Sequence, residues 1–236
     1  MKSFDNKPVP THVCIIMDGN GRWAVQNNKE KVDGHRAGVQ SLRRCVMAAR
    51  KRGVKFLTVY AFSTENWGRP KDEVEAIMEI FSMVVLEQAA ELAKNNIRLT
   101  FIGGREELKP ELQEKMAQAE NIKIEAEEMT LVVALNYSAR WDIVNAAKAL
   151  ASSGEQITAE SLQKNLSTGA LPDVDLVIRT SGEQRLSNFM LWEASYAELY
   201  FTDKLWPDFE EKDFDEAIAW YTCRDRRFGV RELNND

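Results

Sequence analysis

An aspartate followed by a glycine-rich turn and an arginine, Asp18-Gly19-Asn20-Gly21-Arg22, is the segment of this chain best suited to hold a metal ion and a phosphate together. The carboxylate is a hard oxygen ligand, and Mg²⁺ commonly takes one or two of these alongside substrate phosphates. Gly19, Asn20 and Gly21 tolerate backbone angles that turn N–H groups towards an anion. Arg22 adds a planar fork that grips phosphate oxygens in pairs and stays charged at neutral pH. Trp23 follows with a large apolar surface. An ordinary tight turn with a solvated acid uses the same residues, so this segment alone favours phosphate binding only slightly.

Three more polar segments change that balance: S-T-E-N-W-G-R at 63–69, N-Y-S-A-R-W at 136–141 and R-T-S-G-E-Q-R-L-S-N at 179–188. Each follows a short apolar run, and together with Arg22 they contribute Arg69, Arg140, Arg179 and Arg185. That exceeds what one phosphate needs and suggests two anionic substrates or one polyphosphate. His35 sits at an expected helix start, where phosphate contact and simple capping are equal readings; His12 reads as a strand cap.

The elements that would position these segments follow from periodicity. Apolar runs predict strands at 13–17, 55–62, 97–102, 130–135 and 175–178, with a short one at 122–125 and a final one, beside a short helix, within 189–201. Helical spacing predicts helices from Gly34 to Arg52, capped by Gly53, and over 70–95, 110–119, 142–151, 158–166 and 213–222. Strands alternating with helices imply a single α/β domain with a mainly parallel sheet of about six strands, flanked by helices on both faces. Ligands of such sheets bind outside the carboxyl ends of the strands, so the four polar segments should share one edge. The helix at 70–95 carries a stripe of Val74, Ile77, Met78, Ile80, Phe81, Met83, Val84, Val85, Leu86, Ala89 and Leu92, wider than one sheet contact needs. Deep burial explains it; so does a flank lining an apolar cavity.

Composition narrows the class. The 236 residues are 44% hydrophobic and 29% charged, with a net charge of -6, which fits a globular protein and argues against a nucleic-acid partner. Three scattered cysteines read as reduced thiols, and no apolar leader or membrane-length run is evident, so a cytoplasmic location is expected. There is no P-loop, no dinucleotide fingerprint and no nucleophile elbow, and two histidines do not make a zinc site.

Five motifs in order carry a resemblance: M-D-G-N-G-R-W-A at 17–24, G-H-R-A-G at 34–38, Y-A-F-S-T-E-N-W-G-R-P at 60–70, D-L-V-I-R-T-S-G-E-Q-R-L-S-N-F at 175–189 and A-E-L-Y-F-T-D-K-L-W-P-D-F at 197–209. With them the chain closely resembles the cis-prenyltransferases, of the undecaprenyl diphosphate synthase type, from His12 to Gly229. The resemblance implies a cis-prenyltransferase domain over 1–236, with flexible ends at 1–11 and 230–236. It implies a Mg²⁺-dependent transferase that condenses isopentenyl diphosphate sequentially onto an allylic primer, farnesyl diphosphate, forming cis double bonds. The product would be undecaprenyl diphosphate, for the cell-wall lipid carrier. A homodimer is implied, with 189–209 as the interface candidate, and transient contact with the inner face of the membrane for product release.

Carried over by position, the resemblance makes Asp18 the metal-holding catalytic acid and Asn66 an aid to proton removal, as hydrogen-bond relay or orienting group. Gly19, Asn20, Gly21 and Arg22 would cradle the allylic diphosphate, with His35 and Arg69. Trp23, Ser63, Thr64, Glu65 and Trp67 match substrate-contacting positions, and Arg179, Arg185, Leu186 and Ser187 the isopentenyl diphosphate site. Glu198 matches a second metal position, acting near the partner subunit's site. A growing chain would need an apolar tunnel, with Ala61, Met129 and Leu135 as wall positions beside the wide helix. Lys31 stands where the family's pattern has arginine; the charge survives and the two-pronged grip does not. Gln184 replaces a histidine that contacts metal in some relatives, and Ser138-Ala139 replaces Gly-Gly. A non-catalytic partner subunit of the same fold is a second reading, against which the intact motifs count. A phosphate-sensing module is a third, which gives the wide helix no task.

Overall fold

Six strands, β1 (His12–Ile16), β2 (Phe56–Ser63), β3 (Ile97–Ile102), β4 (Met129–Tyr137), β5 (Leu176–Arg179) and β6 (Glu198–Phe201), form one sheet in the computed structural model. Residues 9–224 are described; the terminal segments 1–8 and 225–236, with most of the expected flexible ends and the basic tail after Arg224, lie outside them. The order across the sheet is β3-β4-β2-β1-β5-β6, and every neighbouring pair is parallel. β1 therefore has β2 on one side and β5 on the other, and the chain reverses its direction of travel across the sheet beside it. A crevice opens at the carboxyl ends of strands at such a point.

The connections are α1 (Asn20–Gln26), α2 (Lys31–Arg52), α3 (Lys71–Lys94), α4 (Pro110–Glu120), α5 (Ala139–Ser153), α6 (Ala159–Asn165) and α7 (Glu211–Thr222), with 3₁₀ turns at Thr64–Gly68 and Trp206–Asp208. β1 and β4 are buried along their whole lengths, as central parallel strands must be. Alternate residues take opposite faces. Val13, Ile15, Leu131 and Val133 join a core built with α2, α3, α4 and α7, while Cys14, Ile16, Val132 and Ala134 join a second one with Tyr137, Phe189 and Met190.

Sequence patterning places the main strands and helices to within a few residues, and β3 at its observed bounds. It misses four features. The glycine-rich segment after Asp18 is not a loose turn: Gly19, at φ +110°, is the N-cap of α1. Helix propensity alone would not hold this helix; it is fixed by α2, whose Gly34 and Gly38 leave no space for a Cβ against Asn20. The residues 122–125 form no strand, and 189–197 hold turns where a short helix was expected. The helix carrying His35 also begins earlier, at Lys31, so His35 lies within it and caps nothing.

No helix among the described residues is long and apolar enough to cross a membrane.

Candidate functional site

The four polar segments meet at the carboxyl edge of the sheet, around Asp18. The hydroxyl of Thr180, at the end of β5, holds Asp18 by both backbone groups: it accepts from the Asp18 N–H (2.9 Å) and donates to its carbonyl (2.7 Å). The same carbonyl accepts the Trp206 N–H at 3.0 Å. Three segments of the chain thus fix one backbone position. The carboxylate projects from it 30% exposed, with Arg179 Nη2 2.9 Å from Oδ2 and Arg22 Nη2 3.7 Å from Oδ1.

Arg179 is 4% exposed and is locked by the loop that follows it. Its Nη1 donates to the carbonyl of Arg185 and, at 2.7 Å, to the Ser187 hydroxyl, while its Nε has no protein acceptor. Arg22 donates to the Ser181 carbonyl (3.0 Å) and hydroxyl (2.6 Å) and to Glu183 Oε1 at 3.1 Å. Arg185 pairs with the other oxygen of Glu183. Leu186 packs partly buried in the second core. The β2 exit joins this loop through Glu65, whose Oε1 accepts from Asn188 Nδ2 at 2.9 Å and whose Oε2 accepts from the Thr64 hydroxyl. Arg140 reaches the loop through its backbone N–H, which donates to Asn188 Oδ1.

A second cationic group stands on the α2–α3 side. Glu73 holds Lys31 Nζ at 2.8 Å and Arg69 Nη1 at 3.1 Å. Burial alone would raise the Glu73 carboxyl, yet these two cations bring it below the usual range. Burial, with Arg69 adding to it, lowers His35, which leaves a neutral imidazole at pH 7.

Ser63 and Asn66 form a capping box: Asn66 Oδ1 accepts the Ser63 N–H at 3.1 Å, and the Ser63 side chain takes the N–H of Asn66. That bond engages one lone pair of Oδ1 and fixes the orientation of the Asn66 amide. The tryptophans stand apart. Trp23 Nε1 donates to Asp208, and Trp67 Nε1 donates to Asn136 while its ring meets Phe62 edge-on.

A cavity of about 580 Å³ runs from Met17, Asn20 and His35, beside Asp18, between α2 and α3. Ile77, Phe81, Val84, Val85 and Leu92 of α3 line it, which accounts for the wide apolar stripe, although Met83 faces out. Ala61 lines it as expected. Met129 and Leu135 do not; they are packed in the core, and Leu131 and Val133 between them on the same face form the wall. Asn20 Oδ1 is buried at the mouth with no donor.

For a cation, the donor set is small. No three His, Cys, Asp or Glu among the described residues stand close enough to form a cage. Asp18 alone, completed by phosphate oxygens, fits the way Mg²⁺ is usually held. Glu198 does not join it within one chain. It opens β6 in register with Leu176, and the strand runs about 10 Å from there to the edge where Asp18 lies; it accepts from Arg224 at 3.2 Å. Within the 189–209 stretch Phe189, Trp206 and Phe209 are core residues, and the exposed large apolar side chains are Tyr196 and Leu199.

Sequence reading missed Thr180, Ser181, Glu183 and Glu73. All lie inside or beside the quoted motifs, but nothing in an isolated loop or helix turn tells a bridging acid from a solvated one.

A family model described as "Putative undecaprenyl diphosphate synthase" matches residues 16–229. The ditrans,polycis-undecaprenyl-diphosphate synthase ((2E,6E)-farnesyl-diphosphate specific) of Pasteurella multocida is 50% identical over 98% of this chain and 100% of its own. The Haemophilus influenzae protein of the same name is 48% identical over the same shares. Among solved structures, lavandulyl diphosphate synthase from Lavandula x intermedia, in complex with dimethylallyl diphosphate, superposes with a TM-score of 0.90 at 36% identity, covering 94% of this chain and 99% of that one. A probable undecaprenyl diphosphate synthase from Campylobacter jejuni does so at 0.81 and 32%, covering 94% and 100%.

Proposed function

The chain belongs to the undecaprenyl diphosphate synthase family, and we propose that it condenses isopentenyl diphosphate repeatedly onto farnesyl diphosphate at the edge built around Asp18. The enzyme is a cis-prenyltransferase, and its product is undecaprenyl diphosphate, the precursor of a cell-wall lipid carrier. The observation that carries this reading is an apolar cavity whose lining reaches Met17 and Asn20, on either side of Asp18, and His35, which feels the charges of Lys31 and Arg69. The lavandulyl relative makes the cavity matter, because the fold alone does not fix the product.

In each cycle the allylic C–O bond breaks and its electron pair leaves with the diphosphate. The terminal alkene carbon of isopentenyl diphosphate bonds to the allylic carbon, and loss of a proton from the neighbouring carbon restores a double bond. Backbone N–H groups at the start of α1 and Arg22, with His35, Lys31 and Arg69, hold the allylic diphosphate. Arg179, Arg185 and Ser187 hold isopentenyl diphosphate, so that its alkene faces the carbon that becomes cationic. Asp18 would hold Mg²⁺, which would supply neutralisation of the departing charge. Asn66 keeps the β2 exit in shape through Ser63. The elongating chain, which competes with water for the apolar wall, fills the cavity from Met17 towards Leu92.

Glu198 stands on an edge strand beside exposed Leu199 and Tyr196, and a homodimer formed there would bring it near its partner's site. The enzyme works in the cytoplasm, touching the inner face of the membrane when it releases product.

Incorporation of labelled isopentenyl diphosphate with farnesyl diphosphate tests the site. Asp18→Asn keeps an acceptor for buried Arg179 but removes the charge; kcat should fall by about 10² to 10³ with the fold intact by circular dichroism. Elongation at the wild-type rate would remove Asp18 from the mechanism.

A further inference from the structure

Glu183 has no place in the chemistry above, yet its position is built with care. The loop leading to it takes left-handed backbone angles at Ser181 (φ +75°) and Gly182 (φ +77°). A Cβ on Gly182 would come within 2.9 Å of Asp203 Oδ1. Both N–H groups are tied to the segment after β6, Ser181 to the Lys204 carbonyl at 2.7 Å and Gly182 to the Thr202 carbonyl at 2.9 Å. A non-glycine residue held at positive φ is strained, and such strain persists only where the surroundings enforce it. The result is a carboxylate with one oxygen 3.1 Å from Arg22 Nη2 and the other on Arg185 Nη1.

Those two arginines serve different substrates in the proposed function, Arg22 the allylic diphosphate and Arg185 isopentenyl diphosphate. A carboxylate offers two oxygens to a guanidinium much as a phosphate does. Glu183 thus engages one cation from each subsite. Charge on the other flank is arranged alike: Glu73 spans Lys31 and Arg69, but both of those cations belong to the allylic side. Asp18 also lies between one arginine of each side, Arg22 at 3.7 Å and Arg179 at 2.9 Å, but it has a task in the chemistry above, whereas Glu183 spans Arg22 and Arg185 without one.

We infer that Glu183 is a positioning residue that couples the two diphosphate subsites: it holds Arg22 and Arg185 as an internal stand-in anion, and a diphosphate arriving at either arginine loosens its grip on the other. This inference rests on the proposed function for the assignment of each arginine. The coupling follows from competition. A diphosphate on Arg22 removes one of the carboxylate's two anchors and adds a like charge beside it, so Glu183 holds Arg185 less firmly. The second substrate then meets less competition. Linkage requires the effect to be equal in both directions. The ion pairs are partly exposed, so the coupling is modest, about two- to fivefold in affinity.

Equilibrium binding of isopentenyl diphosphate, with and without the unreactive analogue farnesyl thiodiphosphate, tests this in the full chain. In the wild type the analogue should tighten isopentenyl diphosphate binding about two- to fivefold. In Glu183→Gln, isopentenyl diphosphate alone should already bind about as tightly as it does to the analogue-loaded wild type, and the analogue should add nothing. Glu183→Asp, whose shorter side chain keeps the charge but spans the two arginines less well, should fall between them. In turnover, Glu183→Gln should lower both KM values with a smaller change in kcat. A wild type without coupling, coupling that survives in Glu183→Gln, or weaker binding by that variant would each overturn the inference. Failure of the functional reading itself looks different: neither isopentenyl diphosphate nor the analogue binds the wild type, and no label is incorporated.

Discussion

Val132 and Val133 are neighbours on β4 and face opposite sides of the sheet, and the two sides are filled differently. Val133 lines the cavity with Leu131, Leu99 and Phe101, and the polar side chains on that wall stand at the mouth and the α2–α3 rim. Val132 is fully buried against a face that carries buried polar groups. There His12 Nε2 lies 2.7 Å from the Thr58 hydroxyl and its Nδ1 2.8 Å from the Pro172 carbonyl. Asp142 accepts from the N–H and the hydroxyl of Ser167, both at 2.8 Å, and Glu193 accepts from the Thr168 hydroxyl. A buried polar group is tolerated where it is bonded, and a cavity that must receive a hydrocarbon has no fixed partner to offer one. One face therefore stays apolar and hollow, and the other is packed and can carry a hydrogen-bonded network.

Filling the hollow face gives the largest expected effect. Val133→Phe should leave the first condensations intact and stop elongation early, giving short products in an extracted-product chain-length assay; unchanged full-length product would mean the chain takes another route. The same enlargement one residue earlier, Val132→Phe, has no space to enter. It should cost about 1–3 kcal/mol of stability by overpacking, read by urea unfolding, with product length unaltered in the folded fraction.

The packed face has one weak point. Glu193 is 4% exposed, and its Oε2 has no partner. Burial, followed by nearby Asp142 and Asp173, raises its carboxyl, and Cys14 and Tyr137 both feel its charge. The folded state then keeps a proton that the unfolded chain has lost. The stability this gives is fully present below the unfolded value, about pH 4.3, and is lost as pH rises through the folded value. Glu193→Gln cannot ionise, so it should equal or exceed the wild type by up to about 1 kcal/mol at pH 8 and flatten the pH dependence of unfolding. A steeper pH dependence in the variant would mean that the acid is ionised in the native state.

The smallest change belongs to the edge where the two faces meet. Lys31 is an exposed point charge on Glu73. Lys31→Arg should lower the KM for farnesyl diphosphate by up to about threefold, with kcat unchanged, because a fork grips a diphosphate in pairs where an ammonium does not.

Much of this was legible in the residues. Strand runs such as 97–102 and the Gly53 cap are local signals, and the polar segments could be assigned to one edge because parallel strands share a direction. α1 was not legible: glycines and asparagine at its start read as a turn, and what makes it a helix is contact with Gly34 and Gly38, distant in sequence. The polar run around Asn66 was legible as a strand exit, but its capping bond to Ser63 was not, because that bond exists only once the chain turns after β2. For Met129 and Leu135 the face was right and the depth wrong, since period 2 assigns a side of the sheet and says nothing about where along it a helix stands off.

By itself the sequence determined the fold class, the family and the list of cations at the strand exits, because periodicity and motif order are properties of the chain read in one dimension. Only the tertiary structure decided which charges pair: that Asp18 is fixed through Thr180 and answered by Arg179, that Glu183 spans Arg22 and Arg185, and that Glu198 is at the other end of its strand. Pairing energies fall with distance in space, and residues 161 positions apart become neighbours only when the sheet closes.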